Sequence, residues 1–153
     1  MSTIKTLHVL GVTLFVGNII VSAFWKAFAD RTRDTGIIRY ATRLVNLTDI
    51  VFTAGGIALL MATGHMMAPS YGGVMQTPWI RWSYLLVMGS GLIWIAILVP
   101  VQIAQARMLK PLTPNADIPA RYWKLSTVWM IAGSIATLLP LPAFYLMTVK
   151  PAF

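Results

Sequence analysis

The stretch "LHVLGVTLFVGNIIVSAFWKAFADRTR" (7–33) decides the fold class. From Thr6 to Trp25 there is no Asp, Glu, Lys or Arg over twenty residues, and Lys26, Arg31 and Arg33 follow at once. The hydrocarbon core of a bilayer takes about 20 apolar residues of helix, at about 1.5 Å each. In lipid a helix satisfies its own backbone N–H and C=O groups. An apolar run of that length with an abrupt basic end predicts a membrane-spanning helix.

The same pattern recurs three times. Ile50–Met67 is uncharged over eighteen residues, and Trp82–Ala106 and Leu125–Val149 over twenty-five each. The expected helices are therefore about 4–25, 46–67, 81–106 and 124–149. Composition agrees: 58% of residues are hydrophobic, 10% are charged and mean hydropathy is +0.73, whereas a soluble domain carries about 25% charged residues. The 153 residues read as one all-α transmembrane domain, an integral membrane four-helix bundle with up-down topology.

The connections set its orientation. Lys26–Arg43 and Arg107–Lys124 hold nine of the twelve Lys and Arg, leaving Lys5, Arg81 and Lys150 elsewhere. Basic loops stay in the cytoplasm, so both termini and the loop 69–80 are expected outside, in a multi-pass protein of the bacterial inner (plasma) membrane. The net charge of +8 is then a topology signal that also attracts anionic headgroups, and no nucleic-acid partner is expected. Trp25, Trp79, Trp82, Tyr122 and Trp123 fall at expected helix ends, where amphipathic rings favour the interface. Thr32–Ile38 reads as a short turn, and the Pro-rich "LKPLTPNADIP" (109–119) as loop. Lys5, the apolar run and "VSA" (21–23) also resemble a signal peptide. The length of the run and the basic residues directly behind it favour a retained anchor.

Several chemistries lack their residues. With no Cys there are no thiolate nucleophiles, zinc–thiolate sites or iron–sulfur clusters. With no Glu and only Asp30, Asp34, Asp49 and Asp117, paired-carboxylate hydrolysis has almost no candidates. Asp49 reads as the N-terminal cap of the second helix, the functional alternative being a proton-relay carboxylate or a partner for Arg39 or Arg43. Pro100, Pro140 and Pro142 are expected to bend the third and fourth helices.

The two histidines remain. His8 lies one turn inside the outer end of the first helix and His65 near the outer end of the second, so an antiparallel pair brings them to similar depth. His8, Gly11, Phe15, Asn18 and Ser22 share one helical face that is small and polar and should point into the bundle. Ala54, Ala58, Met61 and His65 form a second stripe. Arg81 and Lys150 lie at the same outer surface. Two imidazoles, an apolar slot and nearby cations are what a b-type haem requires, with His8 and His65 as axial metal ligands and Arg81 and Lys150 as propionate partners. The bland reading is an interfacial His65 ending its helix and a His8 bonded to a neighbouring backbone. A copper reading gathers His8, His65, Met66, Met67 and Met75, since imidazole and thioether suit Cu(I), although methionine in so apolar a chain is mostly packing.

The stretches "LHVLGVTLFVGN" (7–18), "DIVFTAGGIALLMATG" (49–64), "PWIRWSYLL" (78–86), "GLIWIAILVPVQ" (91–102), "YWKLSTVWMIAG" (122–133) and "YLMTVKP" (145–151) together resemble the bacterial four-helix membrane proteins of domain-of-unknown-function family 2269. That family is similar in its opening helix to the haem-binding protoporphyrinogen IX oxidase of the HemJ type and to copper resistance protein D-like membrane domains. The resemblance implies a haem role for His8, which matches a recurrent histidine near the start of helix one. It implies this for His8 more than for His65.

The expected function is a small b-haem-binding membrane protein for electron transfer or porphyrin-linked redox chemistry. The alternatives are a structural or accessory subunit without its own cofactor, and copper handling. The expected partners are the lipid bilayer and either other membrane subunits or further copies of the chain.

Overall fold

The computed structural model describes residues 2–113 and 116–151. Four helices, each long and apolar enough to cross a membrane, account for most of it: α1 (Ser2–Thr32), α2 (Thr35–Tyr71), α3 (Pro78–Leu109) and α4 (Ala120–Val149). No strand occurs among the described residues. Successive helices are antiparallel. Asn18 meets Asp49 and His8 meets Leu60 across α1–α2, while Asp49 meets Gln102 and Arg39 meets Leu109 across α2–α3. The chain is an all-α, up-down four-helix bundle. One end, here the basic end, carries the α1–α2 and α3–α4 connections. The other, the terminal end, carries both termini and the α2–α3 loop.

The helices exceed the apolar runs. Residues 26–43, expected as a basic loop, are helical except at Arg33 and Asp34. The polarity of the segment hides an amphipathic face: Thr35, Ile38, Ala41, Thr42 and Val45 are buried at helical spacing, with Arg31, Arg33, Asp34 and Arg43 exposed. The reversal is tight because Arg33 takes a left-handed φ of 58° and Asp34 Oδ1 accepts the backbone N–H of Ile37 at 2.8 Å. Asp34, not Asp49, therefore caps α2. Asp49 lies deep inside a 37-residue helix, so the capping role expected for it is corrected. At the far side of the same end, Arg39 Nε donates to Leu109 O at 3.1 Å and its guanidinium to Leu112 O, so that one side chain holds the carbonyls that follow the last turn of α3. Within the expected loop 109–119, Pro114 and Asn115 lie outside the described residues.

Glycine sets the closest helix contact. A Cβ on Gly11 would stand 2.7 Å from Leu60 N, and a Cβ on Gly56 would stand 2.7 Å from Phe15 N. The two backbones of α1 and α2 thus touch through a reciprocal glycine pair.

Two of the prolines, Pro100 and Pro140, coincide with irregular helix. Trp94–Leu98, just before Pro100, forms a π-helical turn. Proline has no N–H for the carbonyl four residues back, and a change to wider pairing takes up that defect. Pro140 breaks α4 at Leu139–Pro140 and deprives Ala136 O of its helical donor. Ser90 Oγ on α3 supplies one instead, at 2.6 Å.

Three apolar layers fill the interior. Near the basic end lie Ala29, Ile38, Ala41, Leu109 and Tyr122. Val45, Leu98, Val101, Trp129, Ala132 and Ala136 form the middle. Phe15, Val16, Leu60 and Val87 close the terminal side. The outer surface is apolar, with Val9, Phe24, Ile50, Leu92, Ile95, Ile131 and Leu138 all exposed. These side chains face lipid in a chain whose four helices span a bilayer.

Candidate functional site

A cavity of about 500 Å³ opens in the terminal half of the bundle. Its wall includes Lys5, His8 and Phe15 from α1, Leu60, Gly64, Met67 and Tyr71 from α2, Trp79 and Ser83 from α3, Phe144 and Met147 from α4, and Lys150 just beyond it. Apolar walls with a few convergent polar groups are the usual character of a small-molecule site.

His8 is the polar group best held in that wall. Its Nδ1 lies 3.1 Å from Leu60 O and 3.2 Å from Thr63 Oγ1. Thr63 Oγ1 itself donates back to Leu59 O at 2.6 Å. A carbonyl partner selects the tautomer with the proton on Nδ1, which leaves the Nε2 lone pair free to bind. Gly64 makes room for the ring, since a Cβ there would be 3.1 Å from His8 Cε1. Lys150 extends over the rings of Tyr71 and Trp79, its Nζ 4.5 and 5.6 Å from their centroids. It follows α4 in a left-handed conformation, φ 49°. Lys5 is exposed on the same wall. Two cations thus stand near the surface of a cavity whose imidazole is half-buried.

The other predicted residues fall elsewhere. His65 is exposed and does not line the cavity. Helix α2 turns Asp49, Thr53, Gly56, Leu60 and Thr63 inward, whereas Ala58 and His65 of the expected stripe are exposed. Two constraints fix this rotation: the Gly11–Gly56 contact and the π-helical segment Asp49–Ala54, which shifts the register of every residue after it. Arg81 donates to Met75 O at 3.4 Å on the exposed loop side and is not part of the cavity wall. Met66 and Met75 are exposed, while Met67 lines the cavity. The face expected on α1 does turn inward: Gly11, Phe15, Asn18 and Ser22 are buried and His8 is half-buried.

Sequence reasoning missed a second polar constellation. Asp49 is buried, and every contact it makes is with a neutral donor. Oδ1 accepts from Asn18 Nδ2 at 2.8 Å and Thr53 Oγ1 at 3.0 Å, and Oδ2 accepts from Gln102 Nε2 at 2.7 Å and Trp94 Nε1 at 3.3 Å. Asn18 Nδ2 also reaches Thr53 Oγ1, at 2.9 Å. The amide assignments follow from the network itself. Two π-helical segments, Asp49–Ala54 and Trp94–Leu98, place the facing residues. Asp49 also lines a smaller cavity of about 300 Å³ with Ser22, Ser90, Trp94 and Trp129.

Nearer the basic end, Lys26 Nζ lies 3.1 Å from Asp30 Oδ2 and 2.8 Å from Tyr122 Oη. Tyr122 Oη donates to Asp30 Oδ1 at 2.7 Å, and Ser126 Oγ donates to Oδ2. Tyr122, expected as an interfacial ring, is fully buried and holds this ion pair. Among the described residues, no group of three or more His, Cys, Asp or Glu is placed to hold a metal ion.

Four membrane-length helices, a lipid-facing apolar surface and buried polar clusters within an apolar core define a polytopic integral membrane protein. The chain belongs to the family of predicted integral membrane proteins described as DUF2269, whose model matches residues 2–151. No curated protein and no solved structure matches the chain.

Proposed function

We propose that the protein binds a b-type haem in the terminal-side cavity and serves electron transfer or porphyrin-linked redox chemistry in a bacterial inner membrane. The observation that carries the reading is His8: an imidazole on the cavity wall, tethered through Nδ1 to Leu60 O, with two lysines near the surface. The donor set fits the group. Metal-bound histidines commonly donate their second ring N–H to a backbone carbonyl, and Lys5 and Lys150 suit propionates. Met67 and Met147 line the same cavity and would offer thioethers as further ligands to the iron.

A bound haem supplies one-electron chemistry at its iron. The residues of this chain hold and surround it. Leu60 O fixes the tautomer of His8, Gly64 leaves space for its ring, and Phe15, Trp79 and Phe144 exclude water from the apolar slot. The cavity, not the pair of His8 with His65, is therefore the unit of this reading. Basic loops in the cytoplasm put the cavity on the outer side of the membrane.

The test is the absorption spectrum of detergent-purified protein expressed with ample haem. A Soret band and a pyridine haemochrome are expected, and their absence ends the reading.

Copper handling is a second reading, favoured by the convergence of His8, Met67 and Met147 on one wall, a soft donor set suited to Cu(I). A copper content near one per chain without a Soret band would select it.

A further inference from the structure

We propose that Asp49 is a proton-binding site with one-sided access. Protons reach it from the basic end through water held by the Asn46 and Gln105 amides, and an apolar cluster closes it from the terminal end.

The charge situation comes first. No cation faces Asp49 from any helix packed against it. On α1 the nearest ionisable group is Lys26, two turns beyond Asn18 and already paired with Asp30. On α3 it is Arg107, which is exposed. On α4 Lys124 is exposed, and Tyr122 is engaged with Lys26 and Asp30. On α2 itself Arg43 is exposed and Arg39 is bound to carbonyls of Leu109 and Leu112. A carboxylate without a counter-ion at membrane depth is costly unless it is neutralised, and the neutralising particle that needs least space is a proton, which on Oδ2 would donate to Gln102 Oε1 once that amide turns over, the other donors keeping their places.

A route follows from the helix register. The Asp49–Gln102 and Arg39–Leu109 bonds fix the antiparallel pairing of α2 with α3. Asn46 is one turn from Asp49 toward the basic end, and Gln105 is one turn from Gln102 in the same direction, so they occupy the same level. There, Asn46 Oδ1 and both Gln105 Oε1 and Nε2 are buried with no hydrogen-bond partner among the described residues. Trp129 Nε1, beside Lys26 on α4, is in the same condition. Buried polar groups are almost always satisfied, and water with two to four polar partners is the usual means. Such waters connect Asp49 to the Lys26–Asp30–Tyr122 cluster and so to the basic end.

The opposite direction offers no such groups. Phe15, Val16, Leu60 and Val87 form an apolar cluster on that side, and Phe15 stands between the cavity that Asp49 lines and the His8 cavity. Protons therefore enter and leave Asp49 from the side that the loop charges assign to the cytoplasm.

Infrared spectroscopy of the full chain in lipid nanodiscs tests this without any cofactor, so its outcome is separate from that of the haem reading. The wild type should show the C=O stretch of a protonated carboxyl that titrates reversibly and shifts rapidly in D2O. Asp49→Asn should abolish that band. Gln105→Leu and, independently, Asn46→Val should keep the band and lose its fast exchange. Thermal unfolding identifies any variant that fails to fold, and either amide variant suffices. A wild type without the band, a band that survives Asp49→Asn, or fast exchange that survives the amide substitutions would overturn the proposal.

Discussion

His8 Nδ1 lies 3.1 Å from the carbonyl oxygen of Leu60, so the ring of one helix is held by the backbone of the next. That bond fixes which ring nitrogen remains for a ligand. It also separates the two histidines by role. His8→Ala should remove the haem, whereas His65→Ala, at an exposed position, should leave the haem content of the purified protein unchanged. Gly64→Val should resemble His8→Ala, because a Cβ at that position stands 3.1 Å from His8 Cε1. Pyridine haemochrome content per chain checks all three.

The glycines of α1 and α2 divide by what a methyl group would meet. Gly11→Ala and Gly56→Ala drive a Cβ to 2.7 Å from backbone nitrogen. Each should destabilise the bundle by about 1–3 kcal/mol, the usual cost of overpacking. Gly17→Ala and Gly55→Ala meet nothing within 4 Å and should be neutral or stabilise by up to about 1 kcal/mol through helix propensity. Equilibrium unfolding in mixed detergent micelles distinguishes the two pairs.

Ser90 and Pro140 form a compensating pair, since the Ser90 hydroxyl bonds the Ala136 carbonyl that Pro140 leaves without a helical donor. Ser90→Ala should cost about 1–3 kcal/mol, the penalty for one unsatisfied buried carbonyl. The cost should be smaller in a Pro140→Ala background, where the helix can supply an N–H. A double-mutant cycle on unfolding free energies reads the coupling. Strict additivity would contradict it.

The Lys26–Asp30 pair is buried with Tyr122 and Ser126 around it. Lys26→Met leaves Asp30 as an uncompensated charge and should destabilise by about 3–5 kcal/mol. Tyr122→Phe removes one bonded hydroxyl and should cost about 1–3 kcal/mol. Raising salt should change neither difference much, because buried charges are poorly screened. Unfolding at low and high ionic strength tests this.

The four apolar runs made the spanning helices legible, because hydropathy over some twenty residues is a strong constraint in lipid. Helix ends were not, since residues 26–48 mix charge with a buried face that a count of uncharged residues overlooks. The inward face of α1 was readable from its small polar stripe, Gly11, Asn18 and Ser22. The rotation of α2 was not: it depends on a π-helical segment and on a glycine contact with another helix. Asp49 stood out as an isolated charge, but its position suggested a cap only while α2 was thought to begin there. The signal for its true setting was Gln102 and Gln105, two amides three residues apart in an otherwise apolar helix.

The central claim is that His8 anchors a haem in the terminal-side cavity. The most direct measurement is the visible absorption spectrum of wild type, His8→Ala and His65→Ala purified side by side in detergent. The account predicts a Soret band in the wild type and in His65→Ala, and none in His8→Ala. A wild type without the band, or a band that His8→Ala retains, would contradict it.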